Sequence, residues 1–184
     1  MLPKSLNYDH LYNTFNLNIP PKFNIASATI DKFANTNRIA LKNLKYNGEF
    51  ENLSFRFIQK KSNQLANALD NLNLNRNDRV GIILGQCPET LISHISCFKS
   101  GKISIPLFNL FGVEALKFRL NDSSASVVIC DKYGLEKLKK IKDSLPSLKY
   151  IICTDKNDSG KDILFFHSLL RKSKDEYKNL NTNS

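Results

Sequence analysis

The stretch Arg79-Val-Gly-Ile-Ile-Leu84 decides the fold of this 184-residue chain, because it is a continuous apolar run that ends at Gly85. A run without alternating polar residues is typical of a strand that is buried on both faces of a parallel sheet. Pro88 and Gly101 bracket the next segment with the residues that usually begin and end a helix. The sequence therefore predicts a strand followed by a helix over residues 89–100.

The same alternation recurs along the chain. Further apolar runs begin about 23 residues apart, a spacing that fits repeated strand–helix units. Parallel strands are predicted over residues 79–84, 103–107, 126–130 and 149–153. Helical patterns over 113–120 and 135–145 supply right-handed crossovers between them. The predicted fold class is α/β, with a Rossmann-like parallel sheet flanked by helices.

Other elements are predicted on both sides of this sheet. Asn47-Gly48 lies between two strand patterns and predicts a hairpin turn. Ser54 is a suitable N-cap for a long amphipathic helix that ends near Asn73. We expect the following further segments: an N-terminal arm over 1–21, a short amphipathic helix over 23–33, a loop over 155–162, a last helix over 163–170, and a polar tail over 171–184, of which 177–184 has no core to join.

Composition and charge limit the classes of function. With 41% hydrophobic and 24% charged residues, the chain has the composition of an ordinary globular domain. The net charge of +10 raises the possibility of nucleic-acid binding, but Arg is scarce and no zinc-finger or RNP-type motif is present, so we expect no nucleic-acid partner. No run approaches the ~20 apolar residues of a membrane span, and the start of the chain lacks the apolar run of a secretory signal. We expect no membrane span and a cytoplasmic location.

Residues that carry chemistry are few. The four cysteines form no C-x-x-C pair and the three histidines lie far apart in sequence, so neither a zinc site nor a disulfide framework is predicted. Cys130 and Cys153 end apolar runs and are interpreted as small buried hydrophobes. His94 is interpreted as a helix residue and Asp131 as a helix cap. Residues 159–161 are interpreted as a surface loop, because no phosphate-binding glycine motif surrounds them. From its residues alone the chain is a binding scaffold without an evident reaction centre.

Several short motifs nevertheless occur in one order. They are Ile19-Pro-Pro-Lys-Phe-Asn24, Leu53-Ser-Phe-Arg-Phe-Ile58, Ser62-Asn-Gln-Leu-Ala-Asn-Ala-Leu69, Asp78-Arg-Val80, Gln86-Cys-Pro-Glu-Thr90, Lys99-Ser-Gly101 through Pro106-Leu-Phe108, and Phe111-Gly-Val-Glu-Ala-Leu116. In this order the chain resembles the N-terminal part of acyl-CoA synthetases, members of the adenylate-forming superfamily, and within it the acetate to medium-chain branch. The resemblance covers about residues 8 to 170.

The resemblance implies a two-step reaction. A carboxylic acid attacks ATP to give an acyl-adenylate and pyrophosphate, and the thiol of coenzyme A then displaces AMP. In the family, the phosphate loop, the residues near magnesium and the catalytic lysine all lie downstream of the region matched here. The resemblance thus implies that residues 1–184 form an incomplete AMP-binding domain, the N-terminal subdomain of an adenylate-forming enzyme. It also implies that the chain has no catalytic or metal-binding residue of its own and is not expected to bind ATP, Mg or CoA well alone. The expected partner is the remainder of the enzyme or a second copy of the chain, and the alternative is a noncatalytic α/β module that binds another protein.

One ligand contact is implied within the chain. In short-chain members, the loop that corresponds to Phe108-Asn109-Leu110 approaches the coenzyme A nucleotide, so these three residues are the candidate cofactor-binding residues. Those relatives have small glycines where this chain has Asn109 and Leu110, and the larger side chains oppose a close backbone approach. Lys137 and Lys140 are positioned to offer a weak phosphate patch.

Overall fold

A computed structural model describes residues 7–45, 47–155 and 162–183. The elements before the central sheet are α1 (Tyr8–Thr14), β1 (Lys22–Phe23), α2 (Ile25–Thr29), a 3₁₀ turn (Asp31–Phe33), β2 (Ile39–Leu44), β3 (Phe50–Ser54) and α3 (Phe55–Asn71). The remaining elements are β4 (Arg79–Ile83), α4 (Pro88–Ser100), β5 (Ile103–Pro106), α5 (Val113–Asp122), β6 (Val127–Cys130), α6 (Lys132–Ile141), a 3₁₀ turn (Lys142–Ser144), β7 (Tyr150–Cys153), β8 (Ile163–Phe165), α7 (Phe166–Lys172) and β9 (Thr182–Asn183). The predicted loop at 159–161 lies outside the described residues.

The central sheet has five parallel strands in the order β5-β4-β6-β7-β8. The four predicted strands are therefore confirmed as parallel neighbours. The predicted helix over 163–170 is wrong in its first turn, because Ile163–Phe165 adds a fifth strand beside β7 and the helix begins at Phe166.

The sheet is covered on both faces, as a doubly wound sheet requires. Alternate residues of β4 divide between the faces: Val80 and Ile82 pack with α3 and α4, whereas Ile83 packs on the opposite side with α5 and α6. Side chains of β6 and β7 divide in the same way. The two apolar clusters thus form one core on each face of the sheet.

The segments before the sheet fold against this body. The predicted hairpin is confirmed: β2 and β3 pair antiparallel, and Gly48 has φ +84°, a left-handed conformation that favours glycine. Ser54 caps α3 as predicted, its hydroxyl accepting from the amide of Phe57 at 3.2 Å. The helix predicted over 23–33 is shorter, consisting of α2 and a 3₁₀ turn that follow the two-residue strand β1.

The polar tail makes specific contacts that its composition did not predict. The Nδ2 of Asn179 donates to Asp31 at 2.6 Å, the amide of Leu180 donates to the carbonyl of Lys99 at 2.8 Å, and β9 pairs with β1. None of the described residues 177–183 is buried, so these contacts hold the tail on the surface of the fold without adding it to the core. Hydrogen bonds from side chains and from the backbone, together with one strand pair, hold the segment in place.

Two buried lysines connect this tail to the core. Lys99 is only 1% exposed, and its Nζ lies 2.6 Å from the carboxylate of Asp31. Lys102 is buried in the same way and pairs with Asp70, which also accepts from the hydroxyl of Tyr177 at 2.8 Å. Each carboxylate thus joins a buried lysine on or beside α4 to a residue of the tail.

Among the described residues, the structure contains no helix with the length and apolar character that crossing a bilayer demands.

Candidate functional site

The carboxyl ends of the strands form the edge where a doubly wound sheet binds ligands. The chain leaves β4 toward β5 on one side and returns to β6 on the other side of β4, so the strand order reverses between β4 and β6. The helices that follow these two strands lie on opposite faces of the sheet. A crevice is expected at this reversal point, between Gly85 and Asp131.

The candidate residues Phe108, Asn109 and Leu110 lie in the loop after β5, next to this crevice. The side chain of Asn109 lies close to Gly85: a Cβ built on Gly85 would be 3.6 Å from the Nδ2 of Asn109. The side chain of Phe108 is 59% exposed and that of Leu110 is 75% exposed. The loop therefore presents one aromatic and one aliphatic side chain to solvent while Asn109 faces the β4 turn.

Lys137 holds the same loop from α6. Its ammonium group donates to the carbonyl oxygens of Asn109 at 2.7 Å and Phe111 at 2.9 Å. Hydrogen bonds from a charged donor are roughly twice as strong as neutral ones. The predicted phosphate patch is thus divided: Lys137 is half-buried and organises the backbone of the loop, whereas Lys140 is exposed.

The turn after β4 is fixed by Thr90, whose hydroxyl donates to the carbonyl of Gly85 at 2.6 Å. Cys87 precedes Pro88 at the start of α4, and its Sγ lies 3.3 Å from the same hydroxyl. Burial raises the pKa of the Cys87 thiol, so the thiol stays protonated at neutral pH. The turn therefore presents a neutral polar surface to the crevice.

Two cavities share this surface. One, of about 380 Å³, lies between the turn after β4 and the loop after β5 and is lined by Gln86, Thr90, His94, Phe108 and Phe111 with neighbouring apolar residues. The other, of about 440 Å³, lies between the turn and strand β2. The first cavity is lined mainly by apolar residues with a few polar groups, which is the usual composition of a small-molecule site. Polar and apolar residues share the lining of the second.

His94 lies in α4, as predicted, and its Nδ1 is 3.1 Å from the hydroxyl of Ser104. Burial lowers the pKa of His94, so the ring is neutral at neutral pH. A neutral imidazole beside a hydroxyl offers a hydrogen bond to a ligand without adding charge to the cavities.

The other side of the crevice is organised by two carboxylates. Asp131 caps α6 as predicted, accepting from the amide of Gly134 at 2.8 Å. Asp155, two residues beyond β7, accepts from the amide of Lys132 at 2.8 Å. Sequence reasoning missed the roles of Asp155 and Lys137. The available signals were an acidic residue just after β7 and a lysine in the second turn of α6.

The described residues contain no group of three or more His, Cys, Asp and Glu side chains arranged to hold a metal ion. Asp131 and Asp155 both accept hydrogen bonds from backbone amides of α6.

The same residues match a known protein family. The model of the family described as "AMP-binding enzyme" matches residues 30–182. The acetyl-coenzyme A synthetase of Bacillus subtilis (strain 168) is 32% identical over 150 residues, which are 78% of this chain and 25% of that protein. The mitochondrial acyl-coenzyme A synthetase ACSM3 of Rattus norvegicus is 29% identical over 133 residues, which are 68% of this chain and 23% of that protein. The chain thus spans about a quarter of the length of these relatives.

Solved structures share the fold. The acyl-CoA synthetase of Brucella canis superposes with a TM-score of 0.86 at 20% identity, over 96% of this chain and 34% of that one. The anthranilate CoA ligase AuaEII, solved in complex with anthranoyl-AMP, gives a TM-score of 0.78 at 22% identity, over 90% of this chain and 31% of that one. At these identities the likeness concerns the fold alone.

Proposed function

The chain belongs to the family of AMP-binding enzymes, and from this premise we propose that it forms the N-terminal part of an ATP-dependent acyl-CoA synthetase. The overall reaction is carboxylic acid plus ATP plus CoA to acyl-CoA plus AMP plus pyrophosphate. The observation that carries the proposal is the identity of 29–32% to enzymes named as acyl- and acetyl-coenzyme A synthetases, over two thirds or more of this chain.

In this proposal the 184 residues do not catalyse the reaction alone. Acyl transfer through an adenylate needs positioned donors around the transferring phosphate. Among the described residues at the sheet edge, three donors are already used within the fold: Lys137 binds two carbonyl oxygens, and the amides of Lys132 and Gly134 bind carboxylates. We therefore place the groups that hold ATP and Mg in the remainder of the enzyme, which is the proposed partner.

Carboxylate-dependent exchange between ATP and pyrophosphate tests the proposal that the 184 residues are not catalytic alone. We expect the purified chain to give no exchange above the rate without protein, with acetate, butyrate or octanoate as the acid. The acetyl-coenzyme A synthetase of Bacillus subtilis in the same buffer is the control for assay conditions. Exchange by the pure chain that depends on added acid would show that the chain is catalytic alone.

For CoA, we propose a contact at Phe108, Asn109 and Leu110. The exposed ring of Phe108 and the exposed side chain of Leu110 offer apolar surface to the adenine or pantetheine part of CoA. Lys137 fixes the backbone between them, so the surface is preorganised. Binding by the chain alone is expected to be weak.

NMR titration with CoA tests this contact. We expect shifts of the amide signals of residues 108–112 at millimolar CoA, and their loss in Phe108→Ala. Phe118→Ala is the matched control, since Phe118 is exposed on α5. Equal loss in both variants, or shifts that avoid the loop, would contradict the assignment.

The proposed association with the remainder of the enzyme also predicts self-association of the isolated chain. Two exposed apolar side chains line the two cavities, Leu44 on the hairpin and Phe108 on the loop after β5. Phe50, the register partner of Leu44, and Leu110 are also exposed. Contiguous apolar surface favours association once salt screens the net charge of +10. Sedimentation at low and moderate salt measures it, and a monodisperse monomer at both would favour a standalone module.

We further propose a cytoplasmic location. Fractionation of cells that express the chain from its own gene tests this location. Recovery of the chain with an organelle would contradict it, and the rat relative is one that is named as mitochondrial.

A further inference from the structure

Two cysteines lie side by side at the carboxyl ends of adjacent parallel strands. Cys130 is the last residue of β6, Cys153 is the last residue of β7, and the two are direct partners in the strand register. Both side chains belong to the apolar cluster on the α5 and α6 face of the sheet. Both are buried free thiols, with exposures of 0% and 2%.

The spacing of the strands brings these thiols within bonding reach. Neighbouring strands lie about 4.8 Å apart, which is inside the range of roughly 4.4–6.8 Å between the Cα atoms of disulfide-linked cysteines. A disulfide requires the two Cβ atoms to approach by about 1 Å from the strand spacing. Because both strands end at these residues, the approach involves only the last residue of each ladder.

The pKa values of the two thiols shift in opposite directions. Interaction with the Cys130 thiol lowers the pKa of Cys153, whereas interaction with the Cys153 thiol, together with burial, raises the pKa of Cys130. The thiolate is the nucleophilic form of cysteine, so the first step below is written with Cys153 as the nucleophile.

We propose that Cys130 and Cys153 form an oxidative modification site, a dithiol that a peroxide converts to an intrachain disulfide. In the first step, the sulfur of Cys153 attacks one oxygen of hydrogen peroxide, the O–O bond breaks, and the products are the sulfenic acid of Cys153 and one water. In the second step, the sulfur of Cys130 attacks the sulfenic sulfur, the S–O bond breaks, and the hydroxyl leaves with the proton of Cys130 as a second water. The two thiols together lose two electrons and two protons, and the peroxide is reduced to two waters.

The other cysteines do not share this geometry. Cys87 lies at the start of α4 and Cys97 lies in the same helix, with a different apolar cluster around it. The site is independent of the proposed synthetase function, because it requires only the register of β6 and β7.

Peptide mapping of the full chain tests the proposal. The folded protein is treated with a small excess of hydrogen peroxide, unfolded in the presence of iodoacetamide, digested and analysed by mass spectrometry. We expect one linked peptide that joins Cys130 to Cys153, alkylated Cys87 and Cys97, and recovery of all four free thiols after dithiothreitol. A chain unfolded in urea before oxidation is expected to give mixed pairings instead.

Cysteine variants distinguish the Cys130–Cys153 disulfide from non-specific oxidation of cysteines. Cys87→Ser is expected to leave the Cys130–Cys153 product unchanged, and Cys153→Ala to remove it. Free, alkylated Cys130 and Cys153 in the oxidised folded chain would overturn the proposal, as would a linkage to Cys87 or conversion of Cys153 to a sulfinic acid. The peptide map of the wild-type chain distinguishes these outcomes even if Cys153→Ala fails to fold.

Discussion

Replacing Asp31 with Asn is expected to destabilise the chain chiefly through Lys99. The carboxylate of Asp31 lies 2.6 Å from the ammonium group of Lys99, which is 1% exposed, and it also accepts from Asn179. Asp31→Asn keeps the size of the side chain but leaves the buried ammonium group without a counter-charge.

The magnitude follows from the burial of the two partners. Removing one partner of a fully buried ion pair costs about 3–5 kcal/mol. Because Asp31 is 21% exposed and water can reach the site, we expect a loss below this range, about 2–3 kcal/mol of unfolding free energy. For a chain of this size that corresponds to a fall in Tm of roughly 5–10 °C.

The pKa of Lys99 gives this prediction a pH signature. Burial lowers the pKa of Lys99 from its usual value of 10.5, and the Asp31 carboxylate opposes that shift. In Asp31→Asn the opposition is lost and the pKa of Lys99 falls further. The unfolded chain then binds more protons than the folded chain between the lowered pKa and 10.5, so stability rises with pH in that window. The deficit of the variant relative to wild type is therefore expected to shrink as the pH approaches 10.

Urea unfolding followed by circular dichroism at pH 7, 8.5 and 10 measures both effects. Asp70→Asn is the matched control, because Asp70 pairs with the equally buried Lys102 but is itself 42% exposed. We expect a smaller loss in this control. A loss in Asp31→Asn no larger than in the control, or a deficit that grows toward pH 10, would refute the reasoning.

Two further changes test the packing around the candidate site. Gly134→Ala is expected to destabilise the chain by about 1–3 kcal/mol in urea unfolding, because the added Cβ would lie 2.8 Å from the Cβ of Cys130. Gly85→Ala is the control, since the nearest atom to its added Cβ is 3.6 Å away. Equal losses of stability in the two variants would contradict the packing argument. Lys137→Met is expected to speed hydrogen exchange of the amides in residues 109–112, since two hydrogen bonds to carbonyl oxygens are lost. Lys140 is exposed, and Lys140→Met is expected to leave these exchange rates unchanged. Exchange unaltered by Lys137→Met would show that the loop holds its conformation without this lysine.

The sheet could be predicted from sequence because its strands are short apolar runs with clear boundaries. The run from Arg79 to Ile83 has Gly85 beyond it, and α4 lies between Pro88 and Gly101, so local signals and tertiary packing agree. In Ile163–Phe165 they do not agree. This strand runs directly into the apolar start of α7 without a Gly, Pro or polar turn, so the sequence looks like one helix.

The docked tail and the role of Lys137 could not be predicted for a different reason. Asn179 and Lys137 act through hydrogen bonds to residues 148 and 26–28 positions away in sequence. Such contacts leave no periodic apolar pattern in the chain. By contrast, Asp131 was predictable as a cap, because its partner Gly134 is three residues away.

The measurement that most directly tests the proposed role as part of an acyl-CoA synthetase is the nucleotide sequence that follows the codon of Ser184 in the gene. We predict that this DNA encodes, in the same or a shifted frame, a Ser/Thr/Gly-rich loop that contains a lysine, followed by the remainder of a synthetase. A genuine stop codon followed by unrelated sequence would contradict the proposal and would favour a standalone module.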